Sequence, residues 1–301
     1  MKIPRLISLP TLALLLAAPA LHAEDAKTYV LAKKGATPSA GTTVTEKSSA
    51  EYGEAKLQIK FEFQTGGGTL HNKMASNVVL EGLAPGKLRR TLASKTSENH
   101  VVVAGSEQPS PEEADALQGV PVIVQYKDNA WTAALEDGAP DEDQKKALEE
   151  LLVEYRAESD FTIYGDTPRK PGDKWNVDPK TISQFAGMEK MEGSFNVEFV
   201  EVKDVAGTPC AVLKSSFDLS GDSTEGKGEA PAEGEAARKP MKMKLKGEIA
   251  SQRSLAELVD LQSKCTATMS GDGSPAPGVT MSMEGPFAAE TNVTVEKKKA
   301  E

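Results

Sequence analysis

The sequence predicts an α+β protein that is predominantly antiparallel β, as a strongly curved sheet or an open barrel with two to three short helices packed on one face. Three observations lead to this class. Apolar and polar residues alternate with period two in many segments, for example at 56–63. Helix-start signals are few, and the two clearest precede 111–118 and 142–156. Turn sequences separate the strand-like segments, so each strand can pair with its neighbour in sequence.

Residues 1–23 have the pattern of a secretory signal peptide. Two early positive charges precede an apolar stretch at 6–18, which is shorter than the roughly 20 residues of a transmembrane helix. Small residues then predict cleavage after Ala23, with cleavage after Ala20 as the alternative. We therefore expect a soluble periplasmic or secreted protein with no transmembrane segment in its mature chain. A retained N-terminal anchor is the alternative, and the short apolar stretch disfavours it.

The charge of the mature chain limits its partners. Removal of residues 1–23 takes two of the 35 Lys and Arg residues and leaves 33 against 45 Asp and Glu, a net charge of −12. Such a surface repels phosphate groups, so we expect no nucleic-acid partner. Cys210 and Cys265 would both lie in an oxidising compartment. A disulfide between them is one expectation, and two buried thiols that merely pack are the alternative.

A single β-rich domain is expected over 24–301, made of two halves at about 24–157 and 158–301. In the first half, strands are predicted at 56–63, 70–80, 87–96, 99–104, 120–126 and 131–135. The glycines at 66–68 are expected to end the first of these strands. A capping-box pattern predicts a helix at 111–118.

The helix predicted at 142–156 has both a start signal and a packing face. Asp141 can cap it, with Gln144 three residues on. Its helical spacing places a set of apolar side chains on one stripe, which should cover a sheet. These side chains are Leu148, Leu151, Leu152 and Tyr155.

The second half is predicted to be almost pure β structure. The strand through Phe199 changes phase by one residue after it, which indicates a β-bulge. Residues 221–240 contain no large apolar side chain and are predicted to form a disordered loop within a hairpin. Strands with alternating methionines are expected on either side of Gly271-Asp272-Gly273, which should break the strand that begins near Cys265.

One segment resembles a known pattern. Residues 168–175, Pro-Arg-Lys-Pro-Gly-Asp-Lys-Trp, resemble the Pro-x-x-Pro-Gly-Asp-x-Trp element of exported bacterial β-rich proteins of unknown function. The similarity covers about 115–296, and Gly-Asp-x-Trp is its distinctive part. It implies a β-meander after the element and brings no enzymatic activity with it. A looser architectural similarity is to periplasmic lipoprotein carriers, although fold alone does not fix function.

The sequence contains no motif for catalysis, a cofactor or a metal. The chain after residue 23 has only His71 and His100, and it lacks HExxH, zinc-type cysteine spacing and GxSxG. We therefore predict a non-catalytic binding or envelope-associated protein with no catalytic, cofactor-binding or metal-binding residues. Its expected partner is an apolar ligand or another protein of the cell envelope. A hydrolase acting on envelope material is the alternative, since the chain has many carboxylates and the sequence does not identify which two would form a catalytic pair. A purely structural protein is the third hypothesis.

Overall fold

The computed structural model describes residues 27–61, 64–108, 114–224, 240–276 and 279–297. Within them lie one 12-stranded sheet, two adjoining α-helices and a 3-10 turn. The strands are β1 Thr42–Phe61, β2 Gln64–Ala84, β3 Lys87–Val103, β4 Ser106–Gln108, β5 Pro121–Lys127, β6 Ala130–Leu135, β7 Lys174–Val177, β8 Met188–Val205, β9 Thr208–Ser223, β10 Lys242–Ser254, β11 Asp260–Ala276 and β12 Val279–Lys297. The helices are α1 Glu142–Ala157 and α2 Ser159–Tyr164, and the 3-10 turn is Pro179–Thr181. The signal segment expected at 1–23 lies outside the described residues.

Two antiparallel meanders lie side by side in this sheet. The strand order is β6-β5-β3-β2-β1-β12-β11-β10-β9-β8-β7, and β4 also pairs with β3. The meanders join where β1 pairs with β12, from Thr42 opposite Lys297 to Phe61 opposite Val279. We call this pairing the β1–β12 seam. The predicted antiparallel fold is confirmed, and the sheet is not closed because β6 and β7 are its outermost strands.

Alternation along the strands creates one apolar face, which we call the inner face. On β10, Met243 and Leu245 are buried, while Lys242, Lys244 and Lys246, which alternate with them, are exposed. On β8, the ladder shifts by one residue after Phe199, which confirms the predicted bulge and keeps apolar side chains inward on both sides of it.

Two hydrophobic cores cover parts of the inner face. The larger core lies on β8 to β12 and includes the segment at Leu31 and helix α2. The smaller core lies between α1 and strands β3, β5 and β6. The predicted stripe of α1 is confirmed, since Leu148, Leu151 and Leu152 are buried there against Val124.

The start of α1 is also as predicted. The backbone N–H of Gln144 donates to Asp141 Oδ1 at 2.8 Å, and the Gln144 side chain accepts from the Asp141 N–H at 3.1 Å. This reciprocal pair satisfies two amides that the first helical turn cannot. The chain then turns at Glu158, with φ 41°, and α2 follows at once.

The helix predicted at 111–118 is wrong in its described part. Residues 111–113 lie outside the described residues, and the chain from 114 to 120 forms turns, with Gln118 bridged to Leu92 of β3. Leu117 is the one buried apolar side chain of this described segment. A short helix with a single apolar contact lacks the packing that stabilises helices in proteins, so capping signals alone do not form one.

Two glycine segments expected to end strands lie inside them instead. Residues 66–68 belong to β2, and 271–273 belong to β11. At Gly68 a Cβ atom would lie 2.0 Å from the backbone oxygen of Val102, so glycine permits a close strand approach there. Strands predicted at 87–96 and 99–104 are likewise one strand, β3.

The first residues of the loop predicted at 221–240 belong to a strand instead. Residues 221–223 continue β9 in its pairing with β10, and 225–239 lie outside the described residues. No helix among the described residues combines the length and the hydropathy needed to cross a bilayer.

We expect Leu152→Ala to lower the free energy of unfolding by about 2–5 kcal/mol, because it removes a buried side chain and leaves a cavity under α1. Glu149→Ala is the control on the same helix; its side chain is 71% exposed, so a change within about 0.5 kcal/mol is expected. Urea denaturation of both variants measures the contrast. Equal small losses would mean that α1 is not docked on the sheet.

Candidate functional site

Methionines and glycines alternate across three neighbouring strands near one end of the inner face. Met243 of β10 lies opposite Gly271 of β11, which lies opposite Met283 of β12. Leu57 of β1 continues this row on the far side of the β1–β12 seam. Because glycine has no side chain, the Met243 side chain extends over β11 at Gly271, where a Cβ atom would lie 2.5 Å from its Sδ atom.

A second row repeats the pattern two residues further along. Gly273 of β11 lies opposite Met281 of β12, and Met281 lies opposite Ile59 of β1. Met241, just before β10, lies beside Gly273, since a Cβ atom there would be 2.9 Å from Met241 Cγ. The residues between the two rows face the opposite side of the sheet.

The rows form one wall of a cavity of about 250 Å³, which we call the methionine pocket. It is lined by Tyr52, Leu57, Leu70, Asn72, Asn99, Val101, Ala186, Gly187, Ser223, Met241, Met243, Met281 and Met283. Every one of these side chains is uncharged. The pocket therefore offers an apolar surface with a few neutral polar groups and suits an uncharged ligand better than an ion pair.

Three of the four polar side chains of the pocket lie together on β1, β2 and β3, and the fourth is Ser223 of β9. Asn72 pairs across the sheet with Tyr52 on one side and with Asn99 on the other. The Oδ1 atom of Asn72 is buried and has no hydrogen-bond partner in the described part of the chain. A carbonyl oxygen in that position can accept a hydrogen bond from a ligand, which would offset its burial.

The segment after the 3-10 turn covers the pocket beside Tyr52. The Tyr52 hydroxyl donates to the backbone oxygen of Ala186 at 3.4 Å, and its ring packs at 5.1 Å from that of Phe287. A β-bulge separates Tyr52 from Ala55 in the pairing of β1 with β2. This bulge brings Tyr52 and Leu57 to the same face, although they are an odd number of residues apart.

A second group of polar residues surrounds Arg253, whose side chain is 1% exposed. Its Nη2 atom lies 2.7 Å from Asp160 of α2, and its Nη1 atom lies 3.2 Å from Asp260 of β11. Its Nε atom donates to the backbone oxygen of Leu31 at 2.6 Å, and its guanidinium stacks 4.5 Å from the ring centre of Tyr164. Arg253 thus joins the N-terminal segment and α2 to the sheet.

Burial perturbs the titration of the acids in this region. It raises the pKa of Asp260 to about 6, while the positive charge of Arg253 opposes the shift. Burial also raises the pKa values of Glu46 and Glu154, which line a cavity of about 220 Å³ with Arg90.

The neighbouring carboxylates bind groups of the fold itself. Glu158 accepts from the indole N–H of Trp131 at 2.9 Å. Glu257 lies 2.9 Å from Lys297 and accepts from Ser39. These contacts connect the N-terminal segment, the helices and the last strand. The two carboxylates therefore have a structural role.

Both cysteines are buried free thiols, and the disulfide considered from the sequence is not formed. Strand β10 lies between them, with Cys210 opposite Ser254 and Cys265 opposite Ile249. Strands two positions apart are about 9.6 Å apart, beyond the roughly 7 Å limit for the Cα atoms of a disulfide. Burial raises the pKa of Cys265 to about 11, so its thiol is protonated at neutral pH.

The histidines and the Gly-Asp-x-Trp element have local roles. His71 and His100 face each other on β2 and β3, each 3.0 Å from a glutamate. No three His, Cys, Asp or Glu side chains of the described residues come together as a metal site. Trp175 donates its indole N–H to the backbone oxygen of Ile163 at 2.9 Å, and Gly172 N–H donates to Phe199. The element therefore fixes α2 against the sheet.

The residues that form the methionine pocket could be seen in the sequence, but their proximity could not. Met-x-Met at 241–243 and 281–283 and Gly-x-Gly at 271–273 are visible in the sequence. Only the register of β10, β11 and β12 places them opposite one another.

No protein-family model and no curated protein matches this chain. Among solved structures, one of lipid–protein interactions in lipovitellin covers 87% of this chain at 10% identity, with a TM-score of 0.44. This chain spans 26% of that lipovitellin chain. A DUF1329 family protein from Desulfovibrio piger covers 87% of this chain and 88% of its own, at 8% identity and a TM-score of 0.19. Neither likeness is close enough to assign a function.

We expect Arg253→Met to lower the free energy of unfolding by about 3–5 kcal/mol, because it leaves the buried Asp260 without its partner. Arg156→Met is the matched control. That arginine is 53% exposed and lies 3.7 Å from Glu149, so its loss should cost under about 1 kcal/mol. Chemical denaturation at pH 7 compares the two, and similar losses would show that Arg253 does not hold the elements together.

The raised pKa of Asp260 predicts a pH dependence with a definite sign. The folded state holds this proton more tightly than the unfolded state, so the associated stability is complete below about pH 4 and is lost as pH rises through about 6. The wild type should therefore lose roughly 2 kcal/mol relative to Asp260→Asn between pH 4.5 and 7.5. Denaturation curves at both pH values test this, and a difference that grows in the other direction would contradict it.

Proposed function

We propose that this protein binds a small, uncharged, apolar ligand in the methionine pocket and performs no catalysis on it. The observation that carries the proposal is the lining of that pocket, which combines methionine, leucine and valine with a few neutral polar side chains. Ligand sites in proteins commonly have this composition, with few polar groups that orient the ligand.

The size of the pocket limits the ligand. An engineered apolar cavity of about 150 Å³ in another protein accommodates benzene. A volume of about 250 Å³ suits a somewhat larger group, such as a short acyl chain or a two-ring compound. Methionine side chains are flexible and polarisable, so the pocket can adapt its shape to the ligand.

A strongly curved sheet is part of the proposal. Val101 of β3 and Ser223 of β9 line the same pocket, although six strand spacings separate their strands in the sheet. In a flat sheet that separation would be about 29 Å, which exceeds the width of such a cavity. The shared lining supports a sheet that curls around its inner face and encloses the ligand.

Action in the periplasm or outside the cell is also proposed, on the basis of the signal-peptide pattern at 1–23. The alternative function, hydrolysis of envelope material, would need carboxylates poised beside a substrate cleft. Asp160 and Asp260 do converge, but Arg253 lies between them and ties both to the fold. The non-catalytic function is therefore favoured.

We expect the neutral fluorophore N-phenyl-1-naphthylamine to bind, with a rise in its emission. Leu70→Trp places a larger side chain in the pocket and should weaken binding by at least roughly 10-fold. Val153→Trp adds the same ring at a position on α1 that is 54% exposed, and it should leave binding unchanged. An anionic naphthalene sulfonate should bind less well than the neutral probe, because no lining side chain can pair with its charge.

Fluorescence titration of the three proteins decides the proposal, with thermal unfolding run alongside to verify that each is folded. Equal affinities of wild type, Leu70→Trp and Val153→Trp would mean that the probe binds elsewhere. Absence of binding to the wild type would remove the proposed function.

A further inference from the structure

An apolar ligand could bind to any aliphatic lining, but each methionine of the two rows also carries a sulfur atom. All four side chains that flank Gly271 and Gly273 are thioethers, and they come from two Met-x-Met segments, one at the start of β10 and one on β12. We propose that these four methionines form a binding site for a soft monovalent metal ion, Cu(I).

The glycines give the sulfur atoms room to meet. A Cβ atom at Gly271 would lie 2.5 Å from Met243 Sδ and 3.2 Å from Met241 Cε, so both side chains already extend over β11. Gly221 flanks Met243 on its other side, in β9. Two thioethers on strands about 9.6 Å apart can therefore approach a common point above the intervening glycine.

The chemistry of the lining selects the metal. Thioether ligands favour Cu(I), whereas Ca²⁺ and Mg²⁺ require oxygen ligands and zinc is held by cysteine, histidine or carboxylate. The described lining of the pocket has none of the last three groups. Burial in a neutral pocket also costs more free energy for a divalent ion than for a monovalent one, because the desolvation penalty rises steeply with the magnitude of the charge.

The site goes beyond the proposed apolar ligand and shares its space. Met243 is 7% exposed, and Met241, Met281 and Met283 are partly buried, so a bound ion would be shielded from water. The ion and an apolar molecule would then compete for the same cavity.

The test uses the full chain and Cu(I) supplied anaerobically as its bicinchoninate complex, whose absorbance falls as the protein removes copper. The wild type should take up one Cu(I) per chain. Replacement of Met241, Met243, Met281 and Met283 by leucine keeps volume and polarity close to native but removes every thioether. We expect this variant to lose at least roughly 100-fold in Cu(I) affinity, since changes to outer-shell groups alone cost about 10–100-fold.

Each half of the site also gives a result. Met241→Leu with Met243→Leu, and Met281→Leu with Met283→Leu, should each weaken Cu(I) binding, because both strands contribute ligands. Met74→Leu is the matched control, since that methionine on β2 is 41% exposed and outside the pocket. A variant with Cys210→Ala and Cys265→Ala should bind Cu(I) as the wild type does, because neither thiol lies at the pocket.

Retention of Cu(I) by the four-leucine variant, or its loss only in the cysteine variant, would overturn the proposal. Absence of Cu(I) uptake by the wild type would do the same. Binding of N-phenyl-1-naphthylamine distinguishes the absence of a Cu(I) site from the absence of the proposed apolar site. If the probe binds the wild type while the wild type takes up no copper, the apolar site stands and the metal site falls.

Discussion

The register of the β1–β12 seam determines which side chains of the two meanders meet on the inner face. It joins the two meanders, and it is the only pairing between them among the described strands. It also places Leu57 opposite Met283 and Ile59 opposite Met281, so that one pocket receives side chains from both halves. A slip of one residue would turn the methionines of β12 to the polar face and remove the pocket. The bulge beside Tyr52 completes the arrangement, because it returns that ring to the inner face.

The elements that cover the inner face are held at the opposite end of β11 from the pocket. Asp260 begins this strand and Gly271 lies 11 residues on, about 36 Å away along an extended strand. Arg253 contacts Leu31, Asp160 and Asp260 there. A buried charge lowers the stability of the fold unless it is paired. The charged cluster therefore fixes the N-terminal segment and α2 in one position. The far ends of β10 to β12 line the methionine pocket, and residues 186–187 lie beside it.

Local signals in the sequence predicted the local structures, and their limits explain the errors. Helix α1 could be predicted because its capping box and its leucine stripe lie within 16 residues. The helix expected at 111–118 had a capping signal but no apolar stripe, and its described part is bridged to β3 at Leu92 instead. The glycines at 66–68 and 271–273 were expected to end strands, because only the folded sheet reveals the backbone of β3 beside Gly68 and the methionines beside Gly271 and Gly273. The pocket could not be predicted, since it requires the pairing of β1 with a strand more than 200 residues away.

Native mass spectrometry of protein purified from its own compartment shows whether the seam creates a ligand pocket. We expect a population of the wild type that carries a neutral, apolar molecule, released on gentle heating or into organic solvent. The same molecule should be absent from Leu70→Trp, whose larger side chain fills the pocket, and present on Val153→Trp. Equal amounts of one ligand on all three proteins would mean that the ligand binds outside the methionine pocket and that the seam does not create its site.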